Sequence, residues 1–117
     1  MRVPRTMLTF FQAMSDPTRQ KILSLLEKRE KMCVSDLVRG LKVPQPTVSK
    51  HLAILKNAGI VCSKREGQQV FYSLNGKKIR SYCIRYFSTF SCCSDLFCGH
   101  HGRSDEERLE ARRCFLD

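Results

Sequence analysis

The chain has 117 residues, 42% of them apolar, which is enough for one compact domain and too many for a disordered tail. Lys and Arg number 21 against 11 Asp and Glu, and the resulting net charge of +10 predicts a polyanionic partner, nucleic acid or an anionic membrane face. The apolar runs fall short of a membrane span and no charged-then-apolar leader opens the sequence, so a soluble cytoplasmic protein without a membrane role is expected.

In residues 3–14, VPRTMLTFFQAM, the side chains Met7, Phe10, Phe11 and Met14 recur at helical spacing and predict a first helix with a strongly apolar face. Ser15–Asp16–Pro17 is a helix-start signal, a capping residue followed by proline, and Ile22, Leu25 and Leu26 form the stripe of the second helix. VSDLVRGL predicts a short third helix with Ser35 as its N-cap, with Leu37, Val38 and Leu41 turned inward and with Gly40 and Val43–Pro44 ending it. QPTVSKHLAILKNAGI, from Gln45, predicts a fourth helix closed by Asn57 and Gly59. IVCSKRE and QQVFYSL alternate about Gly67 as two strands around a tight turn. NGKKIRSYCIRYFSTF, residues 75–90, predicts a long last helix striped by Ile79, Cys83, Tyr86, Phe87 and Phe90. After the cysteine-rich stretch SCCSDLFCGHHG, the closing RSDEERLEARRCFLD begins with a capping-box pattern, Ser104 with Glu107, suited to a short helix.

A short helix, a tight turn and a second helix make a helix-turn-helix, and a hairpin after it makes the winged version: a mainly α fold with a β-hairpin wing. On the fourth helix Val48, Leu52 and Leu55 point to a core, whereas Pro46, Ser49, Lys50 and Ala53 point away, flanked by Gln45, Thr47 and His51. A helix in the major groove offers its N-terminal side chains to base edges, so Gln45, Thr47, Ser49, Lys50 and His51 are candidate DNA contacts. Lys64 and Arg65, just before Gly67, suit the phosphates beside that groove.

MSDPTRQKILSLL (Met14–Leu26), QPTVSKHLAILKNAGIV (Gln45–Val61) and REGQQVFYSL (Arg65–Leu74), in that order, resemble the ArsR/SmtB family of bacterial metal-responsive repressors over roughly residues 5–90. The resemblance implies a winged-helix homodimer on a palindromic double-stranded DNA operator, released when a metal or metalloid binds. The residues supply their own reason for a dimer: the apolar stripes of the first and last helices are long and aromatic for a small domain to cover alone. The expected organisation is a winged helix-turn-helix DNA-binding and dimerisation domain over 1–90, dimeric through its first and last helices, and a cysteine-rich extension over 91–117.

Seven cysteines in a chain with no export signal favour reduced thiols that bind a metal or sense redox state over a disulfide framework. One arsenic-sensing pattern of the family, CVCDL, corresponds here to CVSDL: Cys33 is kept and Ser35 stands where the second thiol would be, a hard hydroxyl in place of a soft thiolate. The family's zinc pattern on the last helix needs carboxylates and histidines, and residues 75–90 hold none. Cys92, Cys93 and Cys98 directly follow that helix and resemble the C-terminal cysteines through which some members sense arsenite. Three soft thiolates on one side suit arsenic(III) or antimony(III), the expected inducer. A zinc, cadmium or lead site that adds His100 and His101, and a thiol-oxidation switch, are the alternatives. Cys62, Cys83 and Cys114 read as packing or loose residues. Cys98 beside His100 and His101 lacks the third group and the cleft of a catalytic thiol, so no enzyme is expected.

Overall fold

A computed structural model describes residues 3–93. Along the chain come α1 (Arg5–Met14), α2 (Pro17–Arg29), β1 (Met32–Cys33), α3 (Val34–Leu41), α4 (Gln45–Asn57), β2 (Val61–Glu66), β3 (Gln69–Leu74) and α5 (Gly76–Phe87), then a single tight helical turn at Ser91–Cys93. The described chain forms two compact units, residues 3–79 and residues 80–93, with the boundary inside α5. Cys98, His100, His101, Cys114 and the expected terminal helix lie outside the described residues.

In the first unit the apolar faces of α1 to α4 meet at one core. Phe10, Ile22, Leu37, Val48, Leu55 and Ile60 are wholly inaccessible, and Leu26 and Leu52 nearly so. On α2 the buried residues are Ile22, Leu23 and Leu26; Leu25, expected among them, is half-buried. Leu25 lies against Gly40: a Cβ there would stand 3.1 Å from Leu25 Cδ1, so the missing side chain lets α3 close on the flank of α2. Gly40 therefore serves as a packing residue inside α3 rather than as its end. The stop falls at Lys42, whose backbone turns left-handed (φ 57°) while its N–H caps the Val38 carbonyl. On α3 only Leu37 is fully buried; Val38 and Leu41, expected beside it, are half-buried.

The start of α3 also differs from expectation. Ser35 lies within the first turn, and the N-cap is Cys33. The Asp36 carboxylate reaches back to accept from the Cys33 N–H (3.4 Å) and the Cys33 thiol (3.2 Å). The cap sits two residues early because Met32–Cys33 is a strand: Met32 pairs with Tyr72 and Cys33 with Phe71 of β3, and the chain leaves β1 directly into the helix. The sheet thus has three antiparallel strands in the order β1-β3-β2, one more than the hairpin expected from sequence. Helix α2 opens as expected, with the Asp16 side chain accepting the Arg19 N–H at 3.0 Å and Pro17 in the first turn.

Both capping carboxylates lie below the ordinary carboxylate range, Asp16 chiefly through the Arg19 N–H and Asp36 chiefly through the Cys33 thiol and then Arg39. A depressed folded-state value means their contribution is present above the unfolded value of about 3.9 and is lost as pH falls below it. The urea midpoint is expected to drop below about pH 4, and Asp36→Asn to flatten that drop.

At the end of α4 the chain reverses through Gly59 (φ +83°). A Cβ there would meet Lys78 Cδ at 2.6 Å, because the lysine stem lies across the glycine. Gly59→Ala thus faces a strained backbone and a displaced lysine at once, and is expected to cost about 1–3 kcal/mol in urea unfolding.

Helix α5 is shorter than the 75–90 expected. After Ser88 the backbone tightens to three-residue bonds, Thr89 N–H to the Tyr86 carbonyl and Phe90 N–H to the Phe87 carbonyl, and the Thr89 hydroxyl also donates to the Tyr86 carbonyl at 2.7 Å. Phe90 leaves the helical stripe and is 44% exposed, with its ring 5.4 Å from that of Tyr86.

Candidate DNA interface and thiol pair

Helices α3 and α4 are joined by three residues, Lys42 to Pro44, and α4 starts on Pro44 with Pro46 in its first turn. Val48, Leu52 and Leu55 anchor α4 to the core, so the opposite face is fixed in space: Gln45, Pro46, Thr47, Ser49, Lys50 and Ala53 are all exposed. That is the division of faces expected from the sequence. His51 differs from the other predicted contacts. It is half-buried, and its Nδ1 lies 3.2 Å from Arg19 Nη1 and 4.0 Å from Asp16 Oδ2.

The hairpin of β2 and β3 pairs in register from Val61–Leu74 to Glu66–Gln69 and turns at Gly67 (φ +66°). Lys64 and Arg65 are exposed near its tip, and Arg65 Nε donates to the Gly67 carbonyl at 3.4 Å, folded along the turn. The tip of the wing is tied back by Lys31, whose Nζ sits 3.0 Å from both Glu66 carboxylate oxygens and 5.0 Å from the centre of the Phe71 ring. An exposed pair of this kind contributes little energy; its effect is to neutralise Glu66 beside a basic tip.

Beyond α5, Cys92 is exposed and Cys93 is buried, with their sulfurs 3.6 Å apart. Two thiolates on one zinc ion at about 2.3 Å stand roughly 3.8 Å apart, so this separation is that of two sulfurs able to share one thiophilic ion. Burial, and then the neighbouring Cys92 sulfur, push the Cys93 thiol up, so losing its proton requires a compensating positive centre. Burial alone pushes Cys83 up. Cys33 is buried with its sulfur engaged on Asp36. Among the described residues no three metal-ligating side chains come together, and the third expected ligand, Cys98, is outside them. No helix among the described residues is long and apolar enough to cross a membrane.

A helix-turn-helix whose second helix shows a polar, basic N-terminal face, followed by a two-stranded wing, defines a winged-helix DNA-binding protein. Residues 16–63 match the family described as bacterial regulatory protein, arsR family. The chain is 47% identical over 70 residues to an uncharacterized helix-turn-helix transcriptional regulator of Methanocaldococcus jannaschii, covering 60% of this chain and 79% of that one. It is 38% identical over 65 residues to the arsenic resistance transcriptional regulator ArsR1 of Pseudomonas putida, covering 56% and 51%. HlyU from Vibrio cholerae superposes with a TM-score of 0.59 at 29% identity, over 74% of this chain and 92% of that one. The chain belongs to the ArsR/SmtB family and is a transcriptional repressor of that family, not an enzyme.

Sequence reasoning missed Asp16 and Arg19 as neighbours of the recognition face. Asp16 read only as a helix cap, and Arg19 reaches His51 across 32 residues, a relation that no local spacing reveals.

Proposed function

We propose that the protein is a dimeric repressor that holds a palindromic operator through α4 and the wing and is released when arsenic(III) or antimony(III) binds the thiolates of Cys92, Cys93 and Cys98. The observation that carries the choice of inducer site is the 3.6 Å separation of the Cys92 and Cys93 sulfurs, one exposed and one buried, immediately after α5. Cys98 would complete a three-sulfur set, the donor chemistry that a soft trivalent centre prefers over harder oxygen ligands. Cys33 is a weaker candidate because its thiol is engaged on Asp36 at the cap of α3, and Cys83 because it lies on the apolar stripe of α5.

Gln45, Thr47, Ser49, Lys50 and His51 on α4, with Lys64 and Arg65 on the wing, form the proposed contact set. Dimerisation through the first and last helices is supported by apolar side chains left in solvent, Leu8 (49% exposed) on α1 and Phe90 (44%) after α5. Met7 and Phe10 contribute less than their spacing implies, since both are already buried within the single chain. Two copies would set their recognition helices on half-sites about one DNA turn, roughly 10 bp, apart or a multiple of it. Residues 1–90 would then carry DNA binding and dimerisation, and 91–117 the inducer site.

The test is an operator-release titration on reduced protein with arsenite, antimonite, zinc, cadmium and an oxidant in parallel. Release by the trivalent ions at the lowest concentration supports the reading. Retention of the operator in excess arsenite overturns it, and release by zinc or cadmium alone transfers the site to a divalent ion.

A further inference from the structure

The polar cluster at the back of the recognition helix has its own geometry. Arg19 Nε donates to the Ala13 carbonyl at 2.6 Å, in the last turn of α1, and Nη1 reaches His51 Nδ1 at 3.2 Å. Asp16 accepts the Arg19 backbone N–H at 3.0 Å, and its Oδ2 lies 4.0 Å from the same imidazole nitrogen. A guanidinium has donors and no acceptor, and it keeps its protons at any physiological pH. Nδ1 must therefore accept, which makes the ring neutral and puts its hydrogen on Nε2. Imidazole geometry turns Nε2 away from Arg19. Among the described residues no buried side-chain nitrogen or oxygen lacks a partner, and Nε2 has none, so its N–H opens to solvent. It emerges on α4 one turn after the exposed Thr47 and next to Lys50.

We infer that Arg19, with Asp16 as its counter-charge, is a positioning residue that holds His51 as a fixed Nε2–H donor for an acceptor oxygen or nitrogen on the operator. The inference rests on the reading of α4 as the helix that meets DNA. It assigns His51 a single outward donor, and it gives Asp16 and Arg19 a role in recognition that acts only through His51. The acceptor is either a phosphate oxygen or a base edge, and the two differ in outcome. Losing a phosphate contact weakens all sequences alike, and losing a base contact relaxes preference at one position.

The test uses a duplex that the wild-type protein selects from a randomised pool. His51→Ala is expected to weaken binding about tenfold with the salt dependence unchanged, because a neutral donor displaces no counterion. His51→Gln, whose amide nitrogen stands near the place of Nε2, is expected to recover most of the loss. Arg19→Gln should weaken binding in the wild-type background and add nothing in the His51→Ala background. Additive losses, or a salt slope lowered by about one in Arg19→Gln, would mean that Arg19 touches DNA itself and would overturn the inference. A measurement read on the wild-type protein does not depend on how well a variant binds: nitrogen-15 imidazole spectra near neutral pH, with His51 assigned as the signal that His51→Gln lacks. A neutral ring protonated at Nε2 and accepting at Nδ1 supports the inference, and a proton on Nδ1 overturns it. If Lys50→Ala and Arg65→Ala weaken binding while His51→Ala does not, only this inference fails. If all three leave binding unchanged, the reading of α4 fails with it.

Discussion

Replacing Cys92, Cys93 or Cys98 by serine is expected to leave operator binding intact and to raise the arsenite needed for half-release by on the order of a hundredfold, about 2.7 kcal/mol. Cys92 and Cys93 belong neither to the core of residues 3–79 nor to the exposed face of α4, so DNA affinity has no reason to fall. The response has every reason to. A serine hydroxyl at either member of the 3.6 Å pair removes a soft donor and leaves a hard one that does not ionise near neutral pH. Cys33→Ser is the control: its hydroxyl can still donate to Asp36, so α3 stays capped and the arsenite response is retained. The opposite pattern, a response lost in Cys33→Ser and kept in the tail variants, would move the site to α3. Three thiols and one As(OH)3 give the tris-thiolate and three waters with no net proton released, so the midpoint for arsenite should stay flat below the thiol range and rise above it, whereas a divalent ion, which displaces thiol protons into solution, should bind more tightly as pH rises. Release requires that the ion favour the DNA-free form, and the same coupling makes bound operator weaken the ion's affinity by an equal factor.

Where the fold was legible in the sequence, the signal was local. Val48, Leu52 and Leu55 set the faces of α4 by helical period alone, and Gly67 marks the turn of the wing because that backbone is left-handed (φ +66°). What was not legible depended on distant partners or on competing hydrogen bonds. Met32–Cys33 is too short to read as a strand, and it becomes one only because β3 lies beside it. That pairing moves the cap of α3 from Ser35 to Cys33. The end of α5 was hidden for another reason: Ser88 and Thr89 fit a helical pattern, yet after Ser88 the backbone tightens to three-residue bonds, Thr89 N–H to the Tyr86 carbonyl and Phe90 N–H to the Phe87 carbonyl, with the Thr89 hydroxyl also on Tyr86. In the site, the exposed polar face of α4 followed from period and chemistry. The inward turn of His51 did not, since it depends on an arginine held against α1.

Removing both Lys50 and Arg65 as alanines is expected to weaken operator binding about a hundredfold at low salt and to reduce the salt slope by nearly two, about 0.9 for each phosphate charge lost. Stability should hardly change. Both side chains are exposed, and the only hydrogen bond either makes among the described residues is the weak 3.4 Å contact of Arg65 with the Gly67 carbonyl. The two single variants separate their roles. Arg65 lies near the tip of a two-stranded wing whose acidic neighbour Glu66 is neutralised by Lys31, so its charge is free to meet phosphate, and Arg65→Ala should weaken all sequences alike. Lys50 stands on the helix face itself, where a lysine can bond a phosphate or a guanine edge. A slope lowered by about one in Lys50→Ala marks the phosphate, and a preference relaxed at one base pair in each half-site marks the guanine. Binding by the double variant at wild-type affinity and slope would show that α4 and the wing are not the surface that holds DNA.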